Sequence, residues 1–304
     1  MAQFDRRTFL LGTTTLALAT ACGGSDDDAS TSGADDDVSV FGEGGTGEIV
    51  FLRATFPTGA RQAPTLVAGP PQRLAFIVSD EIDNLREDAP GSITMRIEGD
   101  GGVIFDGPVA KRTDGIITPY YAIGVTFDAP GEYSASLPEL ADVEPVPFTV
   151  VDVSEVLIPQ VGDAIVATPT PTTDDPLDVT PICTRAVPCP FHDVSYADVA
   201  TNGRPTVLLV ATPGFCQTDI CGPVVDLLID AAEGRDDLDV IHAEVYVDPS
   251  DFATGGFPEL TPIVQATSLP FEPVLFVLDG DGVVQARVDT TFDRSELADA
   301  IALI

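Results

Sequence analysis

The sequence predicts a multidomain protein with an N-terminal all-β sandwich and a C-terminal α/β domain. Three observations predict it. Residues 47–151 contain short apolar segments separated by Gly, Pro and Asp turns, a pattern typical of antiparallel sheets. Residues 152–181 are rich in Pro and Thr, which favours an extended, solvated linker. From residue 182, apolar strand segments alternate with amphipathic helical segments, which favours an α/β sheet.

The N-terminus has the pattern of an export signal. Arg6 and Arg7 precede an apolar run that ends at Ala21 and is too short to span a membrane. Small residues before Cys22 and glycines after it resemble a bacterial lipobox, and the arginine pair resembles a Tat signal. The resemblance implies that residues 1–22 are a signal peptide and that Cys22 carries a lipid. We therefore expect an exported protein anchored to the cell membrane and facing the extracytoplasmic side. An ordinary cleaved signal with an incidental cysteine is the alternative.

The charge of the chain limits its partners. The 304 residues include 49 acidic and 14 basic ones, for a net charge of −35. Such a charge repels phosphate backbones, so we expect no nucleic-acid partner. Residues 23–46 consist mainly of Gly, Ser and Asp, with almost no apolar residue to bury. They are predicted to form a disordered acidic tether.

Residues 47–151 are predicted to fold as the β sandwich. Alternating apolar residues at Ile123, Val125 and Phe127 indicate a strand with one buried face. The turn and strand pattern of Tyr121–Tyr133 is similar to the end of bacterial immunoglobulin-like modules, and seven strands in about 100 residues fit that architecture. The region carries no catalytic constellation, which favours a spacer or docking role. The predicted strands are Glu48–Arg53, Arg73–Val78, Ser92–Glu98, Val103–Phe105, Tyr120–Phe127, Glu132–Leu137 and Pro147–Val151.

Residues 182–304 are predicted to form four strands and four helices. The helices are expected at Tyr196–Thr201, Gly222–Glu233, Glu259–Ala266 and Ser295–Ile304, and the strands at Thr206–Ala211, Leu238–Val247, Pro273–Leu278 and Val283–Val288. From the first strand onward the order is β-α-β-α-β-β-α. The final two strands are joined by a tight turn at Gly280–Gly282, which predicts an antiparallel edge.

Cys216 and Cys221 lie between the first of these strands and the following helix. The N-terminus of a helix carries partial positive charge and unpaired N–H groups, which stabilise a reactive thiolate. Four residues separate the two cysteines, and one of them, Asp219, adds a negative charge that opposes this effect. The loop is the strongest candidate for chemistry in the chain.

This cysteine loop, the segment Glu272-Pro273 and the turn Asp279–Gly282 resemble, in that order, parts of the thioredoxin-like family. The resemblance covers residues 182–304 and implies thiol–disulfide exchange without a cofactor. It implies that Cys216 attacks, that Cys221 resolves the mixed disulfide, and that Pro273 is a cis-proline that positions the partner's backbone. Protein thiols or disulfides, or a dedicated redox protein, are then the expected partners. The four-residue cysteine spacing and the lack of tryptophan depart from the family.

Two alternatives to thiol–disulfide exchange remain. In one, the cysteine bridge is inert and the protein is a non-catalytic binding or scaffold lipoprotein. In the other, the chain is a copper-handling relative of thioredoxin, which uses a cysteine pair and a distal histidine. His242 is predicted to lie within the second strand, and no histidine follows it. The expected third copper ligand is therefore missing.

Cys183 and Cys189 form a second close pair ahead of the α/β region. In an exported protein such a pair favours a structural disulfide. A second redox pair and a four-cysteine zinc site are alternatives, although zinc ligands usually lie closer together in sequence. His192 is interpreted as a surface or helix-capping residue, or as support for a thiolate. His242 is expected to pack against the sheet.

Overall fold

A computed structural model of the chain describes residues 49–58, 65–81, 84–85, 88–216 and 220–304. The predicted signal peptide, Cys22 and the predicted tether lie outside these residues, as does Asp219. All described residues belong to a single unit that includes residues 41–304. Within this part of the chain, the helices are too short or too polar to cross a membrane.

The N-terminal half of the described chain folds into one antiparallel sheet. Alternation specifies its strands: in the fourth strand Ile93, Met95 and Ile97 are buried, and the residues between them are not. The eight strands are β1 (Phe51–Ala54), β2 (Gln72–Glu81), β3 (Asn84–Leu85), β4 (Ser92–Gly99), β5 (Gly102–Arg112), β6 (Tyr120–Val125), β7 (Gly131–Ser136) and β8 (Val146–Val150). The order is β1-β2-β6-β5-β4-β7-β8, and β3 pairs with β2.

The immunoglobulin-like sandwich predicted from the sequence is wrong. The strands form one continuous sheet that curls toward a barrel, because β5 pairs with β4 along most of its length and with β6 at its end. Gly107 and Pro108 lie in the middle of β5, and such residues mark bends in strands. At the two ends of the sheet, Phe56 follows β1 and packs edge to face on Phe148 of β8, with ring centroids 5.6 Å apart.

The C-terminal half contains a four-stranded sheet of order β10-β9-β11-β12. Its strands are β9 (Thr206–Val210), β10 (Asp239–Ala243), β11 (Val274–Leu278) and β12 (Val284–Asp289). Strands β9 and β10 are parallel, whereas β11 is antiparallel to both β9 and β12. Every residue of β9 and β11 is buried, as expected for central strands covered on both faces.

Four short α-helices accompany this sheet: α1 (Tyr196–Val199), α2 (Cys221–Ala232), α3 (Pro262–Thr267) and α4 (Arg294–Ile301). Apolar residues of α2 and α4 pack on one face, together with Leu209 and Leu275. Those of α1 and α3 pack on the other face, together with Leu208 and Phe276. The sheet face with α2 carries the cysteines.

The prediction of an α/β thioredoxin-like domain is also wrong. The described residues are mainly β, and the four α-helices contain only 4, 12, 6 and 8 residues. Local breakers shorten them. Helix α3 begins at Pro262 and ends where Ser268 adopts a left-handed conformation, with φ 51°. Helix α1 is followed closely by Gly203 at φ +84°.

The residues predicted to form a solvated linker lie against the second sheet. Ala164 forms a β-bridge with Val283, and the Ile165 N–H donates to the Gly282 carbonyl over 3.0 Å. Ile165 and the Thr170 side chain are buried. Part of the predicted linker is therefore packed on the second sheet.

A buried ion pair joins the two sheets. The Arg73 guanidinium of β2 contacts both carboxylate oxygens of Glu296 in α4, at 2.7 and 2.8 Å. The Tyr120 hydroxyl donates to the same carboxylate over 2.5 Å. Burial alone would raise the pKa of Glu296, but the hydrogen bonds and charge of Arg73 outweigh it and hold this pKa below its usual range. The N-terminal sheet is thus fastened to the half that carries the cysteines.

Candidate functional site

Cys216 and Cys221 are joined by a disulfide at the start of α2, with Cα atoms 6.0 Å apart. The intervening residues 217–219 lie outside the described part of the chain. Cys221 is the first residue of α2 and is fully buried, whereas Cys216 is half-buried. Cys216 is therefore the sulfur that an incoming thiol reaches first.

The local sequence explains why a helix begins at Cys221. Strand β9 ends at Val210, and the following turn closes when the Phe215 N–H donates to the Thr212 carbonyl over 3.1 Å. Pro223 lies in the first turn of α2, where no intrahelical N–H partner is lost. Four apolar residues of the helix then face the sheet and anchor it: Val224, Val225, Leu227 and Leu228.

A half-buried carboxyl group lies beside the disulfide. Glu272 Oε2 is 3.7 Å from Cys221 Sγ and accepts a hydrogen bond from the Thr212 N–H. Burial raises the pKa of Glu272, and the hydrogen bonds from Thr212 only partly offset this effect. The raised pKa lies closer to that of a thiol, which suits this carboxyl group to exchange a proton with Cys221.

Pro273 follows Glu272 directly and precedes β11. Its peptide bond with Glu272 is cis, as the family resemblance implied. The Pro273 carbonyl accepts a hydrogen bond from the Thr290 N–H over 2.8 Å. Val274, the next residue, pairs with Val210 at the end of β9. The structure thus brings all three predicted site residues, Cys216, Cys221 and Pro273, to the same end of the sheet.

The predicted disulfide between Cys183 and Cys189 is not present in the structure. Both residues are buried thiols, and they lie beside the rings of His192 and His242. The ligating atoms of these four side chains lie within 4.8 Å of one another, and among the described residues they form the group that could hold a metal ion. The strand position expected for His242 is confirmed, but its ring faces the thiols.

Hydrogen bonding couples the two thiols. The Cys189 thiol donates a hydrogen bond to Cys183. This bond is the largest cause of the lowered pKa of Cys183 and outweighs burial, which would raise it. The same bond, together with burial, raises the pKa of Cys189. The first proton therefore leaves the pair of thiols more readily than the second.

Thr184 connects this thiol and histidine cluster to the disulfide loop. Its N–H and hydroxyl donate to the buried Glu244 carboxyl at 2.6 and 3.0 Å, and its hydroxyl accepts from the Gly214 N–H over 2.9 Å. Burial raises the pKa of Glu244 to about 8 despite these hydrogen bonds. A Cβ atom on Gly214 would lie 2.7 Å from the Thr184 carbonyl oxygen, so this approach requires glycine.

No known family model matches the chain, and no curated protein matches its sequence. The geometry of these side chains is therefore the basis for assigning a function.

Sequence analysis missed three participants in this region: Glu272 as the partner of Cys221, and His192 and His242 as partners of the second thiol pair. A signal for His192 was available, because Cys189 and His192 have the C-x2-H spacing of a short ligand pair. No comparable signal exists for His242, which lies 50 residues further along the chain.

Proposed function

We propose that the protein carries out thiol–disulfide exchange through Cys216 and Cys221. One observation carries the proposal: the two residues form a disulfide whose inner sulfur, on Cys221, lies 3.7 Å from the half-buried Glu272 carboxyl group. An inert structural bridge has no need of a proton donor and acceptor beside one of its sulfurs. A disulfide that opens and closes in each cycle benefits from such a group, because the leaving thiolate takes up a proton.

The difference in exposure assigns the roles of the two sulfurs. A substrate thiolate attacks Cys216 Sγ, forms a bond to it and breaks the Cys216–Cys221 bond, whose electron pair leaves on Cys221. A second substrate thiolate then attacks the substrate sulfur of the mixed disulfide and releases Cys216 as a thiolate. Two substrate thiols are oxidised to one disulfide, and the Cys216–Cys221 disulfide is reduced to two thiols.

Glu272 provides the proton in this scheme. In its neutral form it gives a proton to the departing Cys221 thiolate; in the reverse direction its carboxylate takes the proton when Cys221 attacks Cys216. Burial favours the neutral form and so brings the pKa of this carboxyl closer to that of a thiol.

The partner in this proposal is a protein thiol or disulfide. Phe215, next to Cys216, is 44% exposed and offers apolar contact area beside the reacting sulfur. We further propose that exchange takes place outside the cytoplasm, with the protein held at the membrane through Cys22. The predicted lipobox supports this location, and the net charge of −35 disfavours nucleic acids as partners.

Trapping of the mixed disulfide tests the proposal. In full-length protein, Cys221→Ser should accumulate mixed disulfides with partner proteins at Cys216, because the resolving thiol is missing. Cys216→Ser is the matched control and should trap none. The covalent complexes are detected on non-reducing gels, and the linked cysteine is identified by peptide mass. Equal yields of complex from the two variants, or none from either, would contradict the assigned roles.

A further inference from the structure

We propose that Cys183, Cys189, His192 and His242 bind one Zn²⁺ ion in a closed, structural site. The proposal does not depend on exchange at Cys216 and Cys221. Cys183, Cys189 and His192 come from the irregular segment before α1, and His242 is the next-to-last residue of β10.

The spacing of the ligand atoms fits a tetrahedral zinc ion. Bond lengths of about 2.3 Å for Zn–S and about 2.0 Å for Zn–N, at tetrahedral angles, place a sulfur and a nitrogen ligand about 3.5 Å apart. Cys189 Sγ lies 3.2 Å from His192 Nε2 and 3.4 Å from His242 Nδ1. Cys183 Sγ lies 3.9 Å from His242 Nδ1. The three separations bracket the value expected around one ion.

Hydrogen bonds prepare two of the ligands for a metal. His242 Nε2 lies 3.0 Å from the Ala211 carbonyl oxygen; because a carbonyl only accepts, Nε2 carries a proton, and this tautomer leaves Nδ1 as the atom that can bind a metal. The Cys189 N–H donates to Cys183 Sγ over 3.5 Å, which favours a thiolate at Cys183. This arrangement of outer hydrogen bonds is typical of metal-ligating side chains.

Burying these four polar side chains costs free energy unless they share a partner such as a metal ion. Cys183, Cys189, His192 and His242 are only 4%, 6%, 4% and 0% exposed. Two thiolates balance the charge of a divalent cation, so one Zn²⁺ ion would leave the buried site without net charge.

The chemistry of the ligands selects the metal. Two thiolates and two imidazoles in a tetrahedral arrangement favour zinc over hard cations such as Ca²⁺ or Mg²⁺, which prefer oxygen. Because four protein ligands complete the coordination and all are buried, no position remains for water or substrate. The site therefore stabilises the fold and does not catalyse a reaction.

The metal would hold the irregular segment against the sheet. Residues 183–192 contain no helix or strand, and His242 would tie three of their side chains to β10 through one ion. Thr184, next to Cys183, also accepts the Gly214 N–H of the disulfide loop. The same ion would thus fix the support on which that loop rests.

Metal analysis of the full-length protein tests the proposal. After reduction and dialysis against Zn²⁺, we expect one bound zinc ion per chain, and one Co²⁺ in its place should show tetrahedral absorption bands with thiolate charge transfer. Cys189→Ser and His242→Gln should each lose the bound ion. The matched control, Cys216→Ser combined with Cys221→Ser, removes the other thiol pair and should retain one zinc per chain.

Because a buried substitution can also unfold the chain, a second measurement uses the unaltered protein. Cys183 and Cys189 should resist alkylation until a chelator removes the zinc, and peptide masses then identify the two labelled cysteines. The proposal is overturned if dialysed protein binds no zinc, or if Cys183 and Cys189 form a disulfide while zinc is present. Loss of zinc from the control variant would also overturn it.

Discussion

Glu272 is the single residue that most clearly separates a redox pair from an inert bridge. Its carboxyl group lies half-buried beside Cys221, and this partial burial raises its pKa. As pH rises through this raised pKa, more of the carboxyl becomes the carboxylate that accepts a proton from the Cys221 thiol. Proton transfer of this kind contributes on the order of 10²-fold or more to a rate.

We therefore predict that Glu272→Gln slows the resolving attack of Cys221 by on the order of 10²-fold. In the unaltered protein this rate should begin to rise at a lower pH than in the variant, where only the ionisation of Cys221 itself remains. Stopped-flow reduction of a disulfide substrate across a pH series measures both effects. The exposed Glu259→Gln serves as the control and should leave the profile unchanged.

The pH dependence of unfolding of Glu272→Gln tests the raised pKa of Glu272 independently of the exchange rate. A raised pKa in the folded state means that folded protein binds this proton more tightly than unfolded protein. The stabilisation is fully present below the unfolded value, near 4.5, and is lost as pH rises through the folded pKa. Urea titration measures the free energy of unfolding. Between the unfolded and folded pKa values of Glu272, this free energy should therefore fall less with rising pH in Glu272→Gln than in the unaltered protein. Identical pH slopes for the two proteins would show that Glu272 is not perturbed.

Helix α4 illustrates how a single cap stabilises an element. Its N-cap residue, Asp293, accepts the Glu296 N–H over 2.9 Å and also contacts Arg112 of β5 at 3.3 Å. We predict that Asp293→Ala lowers the free energy of unfolding by about 1–2 kcal/mol. Asp299→Ala, on the same helix but 78% exposed, should change it by less than about 0.5 kcal/mol. Equal effects in thermal unfolding would contradict the capping role.

The core elements of the second sheet could be predicted from sequence because they are apolar runs with clear ends. Predicted strands at Thr206–Ala211 and Pro273–Leu278 lie within one residue of β9 and β11. The helix predicted at Gly222–Glu233 is observed one residue earlier. Burial on both faces leaves little choice of conformation for such segments.

Other elements could not be predicted because tertiary contacts override local patterns. Strand β5 was expected to end at Phe105, yet it continues through Gly107 and Pro108 to Arg112, since pairing with β4 outweighs their weak strand propensity. The second thiol pair shows the same limit. The short separation of Cys183 and Cys189 in the sequence indicated that they lie close together. Only the fold places the ring of His242 between these thiols and the Ala211 carbonyl.

At the level of the whole molecule, an ion pair and hydrogen bonds join the two halves of the described chain. Arg73 of the first sheet and Glu296 of the second half are each only 13% exposed and form a two-point ion pair. Arg287 of β12 also donates to the Thr65 carbonyl over 3.1 Å. These contacts predict that the two sheets unfold together.

We predict that Arg73→Met, which leaves Glu296 buried without its cation, lowers the free energy of unfolding by about 3–5 kcal/mol. The double variant Arg73→Met with Glu296→Leu should recover most of this loss, because no charge is then left unpaired.

Urea unfolding of the full-length protein, followed by far-ultraviolet circular dichroism and tyrosine fluorescence, should show one coincident transition. Two separated transitions would instead indicate independent domains.

The proposed zinc site also affects the whole molecule, because the lipobox predicts an exported protein. In an oxidising compartment two adjacent thiols form a disulfide unless something protects them, and a bound metal ion does so. The two cysteine pairs would then have different tasks: one pair exchanges electrons, and the other, with His192 and His242, keeps the supporting segment folded.

The reduction potential of the Cys216–Cys221 pair tests the central claim most directly. Full-length protein is equilibrated in glutathione buffers of graded potential, and the oxidised fraction is read from alkylated peptides that contain these two cysteines. Thiol–disulfide exchange predicts a potential above about −300 mV and measurable exchange with a test disulfide. A potential below about −300 mV without any exchange, as in structural bridges, would contradict the proposed function.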